Sequence, residues 1–269
     1  MKTLNIIGAG RVGQTLGRLF HVTGIYQLQG VLTRSGASVQ QALGFIGAGQ
    51  ACQALVDMPA ADVWMLTVPD SHIAPVAQAL AGLARRPALV FHCSGALGSD
   101  QLDPLRQIGW HVASAHPLMS FARPDLALTQ FAGTPCALEG DATALAELEA
   151  ALIPLCARSF VLAAQDKLLY HAGAVFASNF LPVLQSVAEQ LWQDIGMPTE
   201  MALHLRATLL HNAVNNIVAL GPKGALTGPA ARGDLALLAV QGKAVAQWNA
   251  DAGQAYHALS LLAGDLARA

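Results

Sequence analysis

Three glycines near the start of the chain constrain its fold more than any other feature. Gly8, Gly10 and Gly13 follow a short apolar segment, Leu4–Ile7, and overlap the start of an amphipathic segment, Val12–Val22. A G-x-G-x-x-G motif binds a dinucleotide when it lies in this order of strand, turn and helix. The first glycine allows the tight turn, the second lets the backbone approach a pyrophosphate, and the third lets helix and strand pack closely. An ordinary glycine turn of an α/β protein is the alternative.

The turn is a candidate phosphate site because the amino end of a helix offers unpaired N–H groups and a positive dipole. Charge along the chain favours an anionic ligand here, since residues 1–56 contain no Asp or Glu. The predicted cofactor-binding residues of the turn are Gly8, Ala9, Gly10, Arg11, Val12 and Gly13.

The end of the second predicted strand, Leu28–Thr33, indicates which dinucleotide is bound. Enzymes that use NAD place an acidic residue about 20 residues beyond the glycines, on the ribose 2′-hydroxyl. This chain instead has Thr33, Arg34 and Ser35 there. A guanidinium flanked by two hydroxyls can hold a 2′-phosphate. We therefore expect NADP(H), the alternative being that Arg34 is merely solvated.

The pattern of apolar residues predicts two domains. Over residues 1–163, short apolar runs alternate with helical patterns, which predicts an α/β Rossmann domain with a doubly wound parallel sheet. Over residues 164–269 the pattern is helical and predicts an all-α domain for substrate binding and dimerisation. Its helical patterns cover Asp166–Ile195, Thr199–Leu220 and Gly233–Ala267. Asp70 or Ser71 is expected to cap one helix of the first domain, and Asp234 the last helix.

Composition limits the classes of partner. Hydrophobic residues make up 54% of the chain and charged residues 12%, yet no apolar run approaches the roughly 20 residues of a membrane span. The glycines and Arg11 also interrupt any signal peptide, so we expect a cytoplasmic protein without a membrane partner. The apolar excess favours a homodimer through the helical domain. A net charge of −2 without a basic run argues against nucleic acid.

The cysteines predict no metal site. Cys52, Cys93, Cys136 and Cys156 have no C-x-x-C spacing. In a cytosolic chain they are expected to be reduced, buried, small apolar side chains.

Motifs spread over nearly the whole chain resemble one superfamily. It comprises ketopantoate reductase, pyrroline-5-carboxylate reductase and the β-hydroxyacid dehydrogenases. The chain is most similar to a branch of Rossmann-like NADP oxidoreductases with a C-terminal domain of unknown function. The resemblance implies a Rossmann domain followed by a helical, dimer-forming domain. The motifs that carry it are Gly8–Gly13, Thr33–Ser35, Val68–Asp70, His92–Gly95, His116–Leu118, Tyr170–Ala172 with Asn179, and Leu226–Asp234.

Three of these motifs fall at the predicted carboxyl ends of strands, where open α/β sheets bind ligands. Val68, Pro69 and Asp70 are expected beside the ribose and nicotinamide of the cofactor. Ser94 could donate a hydrogen bond to a substrate oxygen. His116 could position substrate or act as an acid, because the pKa of a histidine can lie near neutrality. The alternative is that Ser94 and His116 only shape loops.

The first helix of the second predicted domain adds three candidates. Lys167 and His171 are four residues apart and share a helix face. In the related β-hydroxyacid and ketopantoate enzymes, a helical Lys and an Asn one or more turns later deliver protons and bind substrate. Here His171 stands one turn after Lys167, and Asn179 three turns after it. Both Lys167 and His171 remain candidates for the catalytic site, and we rank His171 above Lys167 as a site-lining residue. The alternatives are a surface position for Lys167 and a core position for His171 with a satisfied partner. Asn179 could hold a loop or substrate.

Together these features predict a reductase that uses NADPH and acts on a small carbonyl, such as a keto acid, or on an imine. Hydride comes from the cofactor in such an enzyme, and a nearby acid protonates the product. Two alternatives remain open at the level of sequence. One is a non-catalytic NADP(H)-binding redox sensor or scaffold, and the other is a helical assembly protein with an incidental glycine turn.

Overall fold

The computed structural model describes residues 1–83 and 85–269. The chain divides into two compact units, Met1–Ser178 and Asn179–Ala269. The last strand ends at Val161, and the described residues after it form only helices and loops. The first unit nevertheless continues to Ser178, because Lys167 on its last helix is buried against the sheet.

A single sheet forms the centre of the first unit. Among the described residues it has eight strands in the order β3-β2-β1-β4-β5-β6-β7-β8. Its first six positions follow the strand order of a doubly wound dinucleotide-binding fold, which confirms the predicted fold class. The strands are β1 (Lys2–Ile7), β2 (Tyr26–Leu32), β3 (Gln50–Cys52), β4 (Val63–Leu66), β5 (Leu89–His92), β6 (His111–Pro117), β7 (Pro135–Gly140) and β8 (Arg158–Val161).

One pairing departs from the predicted parallel sheet. Strand β7 runs antiparallel to β6, with Ser114 opposite Glu139 and Pro117 opposite Cys136, whereas β8 is parallel to β7. The loop and the short helix α5 (Pro124–Gln130) that join β6 to β7 contain no full crossover helix. The chain therefore returns beside β6 in the opposite direction.

Helices cover both faces of this sheet. Their apolar sides bury two clusters, one around Leu4, Phe20 and Phe91 and the other around Trp64 and Trp110. Besides α5, the helices of the first unit are α1 (Arg11–Val22), α2 (Gly36–Ile46), α3 (Asp70–Ala81), α4 (Asp103–Arg106), α6 (Ala142–Leu152) and α7 (Lys167–Ala174).

The second unit is helical, as predicted. A π-helical turn, Val175–Asn179, leads from α7 into α8 (Phe180–Asp194). Helix α9 (Thr199–Ala225) breaks at Gly221, whose φ of 71° is not helical, so the predicted helix end at Leu220 is confirmed. The third helical pattern is two helices, α10 (Leu235–Trp248) and α11 (Ala250–Arg268), because Asn249 is extended and caps α11. None of the helices that the structure describes is both long and apolar enough to cross a membrane.

The capping predictions have different outcomes. Asp234 accepts a hydrogen bond from the backbone N–H of Leu237, 3.1 Å away, and so caps α10 as predicted. Neither Asp70 nor Ser71 caps α3: the residue before the helix is Pro69, and no side chain caps it. Asp70 instead accepts a hydrogen bond from the hydroxyl of Ser94.

The cysteines also differ in part from the prediction. All four are free thiols, and Cys52 and Cys136 are buried, but Cys93 is only partly buried and Cys156 is exposed. Cys156 adopts a left-handed conformation, φ 56°, in the turn before β8, which places it at the surface.

Candidate active site at the carboxyl edge of the sheet

The glycine turn after β1 has the shape of a phosphate cradle. Gly8 adopts φ 82°, and a Cβ atom there would lie 2.7 Å from the backbone nitrogen of Val68. A Cβ atom at Gly13 would overlap the side chain of Thr67, whose hydroxyl donates to the carbonyl of Gly8. Both positions therefore require glycine.

Gly10 differs from these two glycines because it borders open space. No heavy atom within the described residues lies within 4 Å of the Cβ that Gly10 lacks. Gly10 precedes α1, whose first turn contains no acidic residue, and none of the described side chains caps this helix. The first N–H groups of α1 are thus available to an anion, as the fit of a dinucleotide pyrophosphate requires.

Thr33, Arg34 and Ser35 follow β2 at the same edge of the sheet. Arg34 is exposed. Thr33 donates from its hydroxyl to the carbonyl of Ser35, 2.9 Å away, and Ser35 accepts from the backbone N–H of Ser38 at 3.3 Å, capping α2. The two hydroxyls thus order the loop, and the guanidinium remains the group that can reach a 2′-phosphate.

Ser94, just after β5, is fixed by several hydrogen bonds. Its hydroxyl donates to Oδ2 of Asp70, 2.9 Å away, and accepts from the backbone N–H groups of Ala96 and Leu97. Its backbone N–H donates to Nδ1 of His92, 3.2 Å away, while Nε2 of His92 is 2.9 Å from the carbonyl of Gly98. Because a carbonyl only accepts, His92 carries its proton on Nε2. The Ser94 hydroxyl is engaged by the protein itself.

Lys167 is hydrogen-bonded to this loop and is not the surface lysine that the sequence left open as an alternative. Only 1% of the residue is exposed. Its Nζ donates to Oγ of Ser114, 2.7 Å away, and to the carbonyl of Ser94 at 3.3 Å. Both acceptors are uncharged, and they belong to the ends of β5 and β6. A buried ammonium group therefore joins the two strands that end at this site.

His116 lies within β6 rather than in a following loop. Its Nδ1 is 3.1 Å from the hydroxyl of Tyr170, and its ring meets the ring of His171 edge to face with centroids 5.6 Å apart. A Cβ atom at Gly95 would lie 2.5 Å from Nδ1 of His171 and 2.8 Å from Nε2 of His116. The two imidazole rings therefore pack against Gly95, which follows β5, and fill the space that a side chain there would need.

His116, Tyr170 and His171 form a cluster in which one ring nitrogen lacks a hydrogen-bond partner among the described residues. Nδ1 of His171 is buried and has no hydrogen-bond partner among the described residues. Buried polar atoms are rarely left without a partner in native proteins. A hydrogen bond from this nitrogen to a ligand or a water molecule would satisfy it.

Burial shifts the pKa values of His116, Tyr170 and Lys167 at this site. Burial lowers the pKa of His116 to about 4, with His171 and Lys167 acting in the same direction. Burial raises the pKa of Tyr170 to about 12. Burial also lowers the pKa of Lys167, an effect that Glu139 and Asp70 oppose. His116 is therefore a neutral imidazole at pH 7, which corrects the expectation of a pKa near neutrality.

Most of the predicted residues meet at one edge of the sheet. The parallel strands β1, β2, β4, β5 and β6 all end there, so their following residues come together. Asn179 instead begins the second compact unit. The residues that end or follow these strands and carry predicted functions are Gly8–Gly13, Thr33–Ser35, Val68–Asp70, Ser94 and His116.

Ser114 and Tyr170 were not predicted as site residues. Ser114 is two residues before His116 on the same strand, and alternate strand residues share a face. Tyr170 is three residues after Lys167, and residues at this helical spacing are neighbours. These two spacings were the available signals, and they have meaning only once Lys167 is known to be buried.

Comparisons with known proteins cover nearly all of the chain. Residues 2–117 match a Rossmann-like domain, and residues 134–263 match a domain of unknown function, DUF2520. No curated protein matches the chain.

Solved structures give the same picture of the fold. A candidate NADP oxidoreductase from Bacteroides fragilis is 21% identical over 98% of each chain, with a TM-score of 0.81. A protein from Thermotoga maritima is 25% identical over 99% of this chain and 98% of its own, with a TM-score of 0.73. The pyrroline carboxylate reductase of Plasmodium falciparum, solved with NADP bound, is 12% identical over 98% of each chain, with a TM-score of 0.61. The two-part architecture is thus shared along the whole chain.

Proposed function

We propose that this chain, which belongs to the Rossmann-like proteins that carry a DUF2520 domain, is an NADP(H)-dependent oxidoreductase. It would transfer a hydride between nicotinamide and a small carbonyl or imine substrate. The observation that carries the proposal is the common edge of the sheet. The open glycine turn after β1 and the polar cluster after β5 and on β6 lie at the same edge, where such sheets bind ligands.

The groups that would hold the cofactor all lie in the first unit. The N–H groups at the start of α1 would bind the pyrophosphate above Gly10. Arg34 would bind the 2′-phosphate, because its guanidinium is exposed beside a loop that Thr33 and Ser35 order. Val68, Pro69 and Asp70, at the end of β4, would border the ribose and the nicotinamide. The bound NADP in the Plasmodium falciparum reductase, which has the same fold, supports this assignment.

The nicotinamide supplies the hydride when it is bound, and the chain's own residues would hold and donate the proton. Lys167 holds protons in a buried position beside the ends of β5 and β6. His116 and His171 lie against Gly95, and Tyr170 is hydrogen-bonded to His116. All three are less buried than Lys167 and would contact the substrate. Ser94 and Asn179 remain candidates for substrate binding, although the Ser94 hydroxyl acts first on its own loop and on Asp70.

The second unit is proposed to form a homodimer with a second copy of the chain. Of the described residues in 179–269, only Ala202 and Gly253 are buried. Large exposed apolar patches mark interaction surfaces. The apolar side chains on this surface include Phe180, Val183, Met201, Leu209, Val214, Ile217 and Val218. Sedimentation analysis of the full chain should give a dimer, and a monomer at micromolar concentration would refute this part of the proposal.

Two measurements test the activity. Titration of the full chain with NADPH and with NADH, followed by nicotinamide fluorescence, should reveal binding with a preference for NADPH. NADPH oxidation should then be detected with a panel of keto acids or cyclic imines. Failure to bind either dinucleotide would refute the proposed function. Tight NADPH binding without turnover across the panel would favour the alternative, a redox sensor or scaffold.

A further inference from the structure

We infer that Glu139, on β7, is a positioning residue of the candidate site. Its carboxylate holds one end of the loop after β5 through Ser99, and it balances the charge of the Lys167 ammonium group beside Ser114. The pairing of the two charges can be measured in the protein itself, whereas its importance for turnover rests on the proposed function.

The first unit buries one carboxylate and one amine among the residues that the structure describes. Glu139 is 8% exposed, and Lys167, at the start of α7, is 1% exposed. An isolated ionised group is costly to bury, so buried charges in proteins are normally paired. Two buried charges of opposite sign can compensate each other if they lie close together.

Ser114, on β6, is a neighbour of both groups. It lies directly opposite Glu139 in the antiparallel pairing of β6 and β7. Side chains of directly opposite residues lie on the same face of a sheet, with their Cβ atoms about 4.5–5.5 Å apart. Nζ of Lys167 donates to Oγ of Ser114 at 2.7 Å, so the ammonium group lies on this face as well. Glu139 and Lys167 are therefore both placed beside one serine side chain.

The carboxylate of Glu139 also holds the loop that follows β5. Its Oε2 accepts from the backbone N–H of Ser99 at 2.7 Å, and its Oε1 accepts from the Ser99 hydroxyl at 2.8 Å. Donors at both oxygens suit an ionised carboxylate, which can only accept. Ser99 ends the loop in which Gly95 lies against His116 and His171. Glu139 therefore fixes one end of the loop that borders the site.

The two cysteines and two histidines that face Lys167 are uncharged at pH 7. Burial raises the pKa of the Cys136 thiol to about 12, and it also raises the pKa of the Cys93 thiol. Burial lowers the pKa of His116 to about 4, and it lowers the pKa of His92 as well. None of these side chains can balance the ammonium group.

Glu139 and Asp70 are the carboxylates that face Lys167 within the described part of the chain. Burial lowers the pKa of Lys167, and both carboxylates oppose this effect. Asp70 is exposed, and its carboxylate accepts from the Ser94 hydroxyl. Solvent and salt screen an exposed charge more than a buried one. Glu139 therefore supplies the larger part of the counter-charge.

Nuclear magnetic resonance of the lysine side chains tests the pairing directly. The chain has four lysines, Lys2, Lys167, Lys223 and Lys243, so the signals of isotope-labelled lysine can be assigned by single substitutions. In the wild type, Lys167 should be an ammonium group at pH 7. Glu139→Gln keeps the shape of the side chain and should move the titration of Lys167 to a pH about one unit lower or more. A neutral Lys167 in the wild type at pH 7, or an unchanged titration in Glu139→Gln, would overturn the inference.

Two variants with the same change of charge locate the effect. Asp70→Asn should move the titration of Lys167 by less than Glu139→Gln does, because Asp70 is exposed. Asp125→Asn, at an exposed residue of α5, should leave the titration unchanged. A shift in either variant as large as that in Glu139→Gln would overturn the inference.

Hydrogen exchange of the Ser99 amide tests the contact with the loop. Glu139→Ala removes both acceptors and should speed the exchange of this amide at least about tenfold, since its hydrogen bond is lost. Glu139→Gln keeps one acceptor and should speed it less. Unchanged exchange in Glu139→Ala would show that Glu139 does not hold the loop and would overturn the inference.

A double variant decides the question if Glu139→Gln does not fold. Lys167→Met combined with Glu139→Gln removes both charges and should be more stable in urea than Lys167→Met alone, because no buried charge is left unpaired. Equal or lower stability would overturn the inference. Absence of NADPH binding by the wild type would refute the proposed function, whereas bound NADPH with an unchanged Lys167 titration in Glu139→Gln would refute only the inference.

Discussion

The two compact units differ in how far their apolar side chains are buried. The first unit buries its apolar side chains on both faces of a sheet, with Val90, Met65 and Leu66 fully inaccessible. The second unit leaves many of its apolar side chains in solvent, and Val218 is 82% exposed. A unit with its own core can position a reactive group to within a hydrogen bond, whereas a unit without one needs another surface for its stability. The difference supports the proposals that the first unit carries the site and that the second unit forms the dimer contact.

A Val→Asp substitution in each unit tests this contrast and has the largest expected effect. Val90→Asp should destabilise the chain by about 4 kcal/mol or more, because an unpaired carboxylate would be buried in the centre of β5. Val218→Asp should keep the helical content and convert the dimer to monomer. Circular dichroism with urea unfolding and sedimentation would measure the two effects. A folded Val90→Asp variant, or a Val218→Asp variant that unfolds, would break the comparison.

Substitution of Arg34 tests whether this residue of the first unit binds the 2′-phosphate of the cofactor. Arg34→Asp should weaken NADPH binding on the order of 10- to 100-fold, since a charge-assisted contact is lost and a repulsive charge is added. NADH, which lacks the 2′-phosphate, is the matched control and should bind with little change. Fluorescence titration of both cofactors measures the ratio. Unchanged NADPH affinity would remove Arg34 from the site.

Acid should destabilise the first unit through His116. Its folded pKa of about 4 lies below the usual value of 6.5, so the unfolded chain binds more protons as the pH falls from 6.5 towards 4. Stability that is present above pH 6.5 is therefore lost across that window, by about 2 kcal/mol at pH 5. Urea unfolding at pH 7 and pH 5 should show a smaller loss for His116→Asn than for the wild type. Equal losses would show that His116 is not the group responsible.

The smallest change in stability is expected for substitution of Gly10 in the glycine turn, which should affect ligand binding instead. Gly10→Ala should change the free energy of unfolding by less than about 1 kcal/mol, because its Cβ would enter open space. It should weaken NADPH binding about tenfold or more, because the pyrophosphate needs that space. Gly13→Ala is the contrasting variant, since its Cβ would overlap Thr67 and destabilise the first unit itself. A Gly10→Ala variant with normal NADPH affinity would contradict the proposed cradle.

The glycine turn could be predicted from the sequence more fully than the polar residues that surround Lys167. The glycine turn lies within six consecutive residues, so a local pattern contains all of it. The strand order of the sheet also follows from the alternation of strands and helices. The antiparallel return of β7 did not follow from it, because nothing in the sequence of β7 itself marks its direction.

The position of Lys167 could not be read from its own helix. Its spacing to His171 places both residues on one face but does not say whether that face meets solvent or protein. The burial is decided by Ser114, 53 residues earlier in the chain, and by the carbonyl of Ser94, 73 residues earlier. Contacts over such separations depend on how the strands assemble. The lysine for which the sequence left a surface position open is therefore a buried group of the candidate site.

Gly95 has a consequence for sequence variation in this protein. The space that a side chain at residue 95 would fill is already taken by the two imidazoles of His116 and His171. Any larger residue there would have to push both rings aside, although its own backbone conformation would be unstrained. Residue 95 therefore tolerates one amino acid, for reasons that lie entirely in its neighbours. A mutational scan of the loop after β5 should find tolerance falling sharply at this one position.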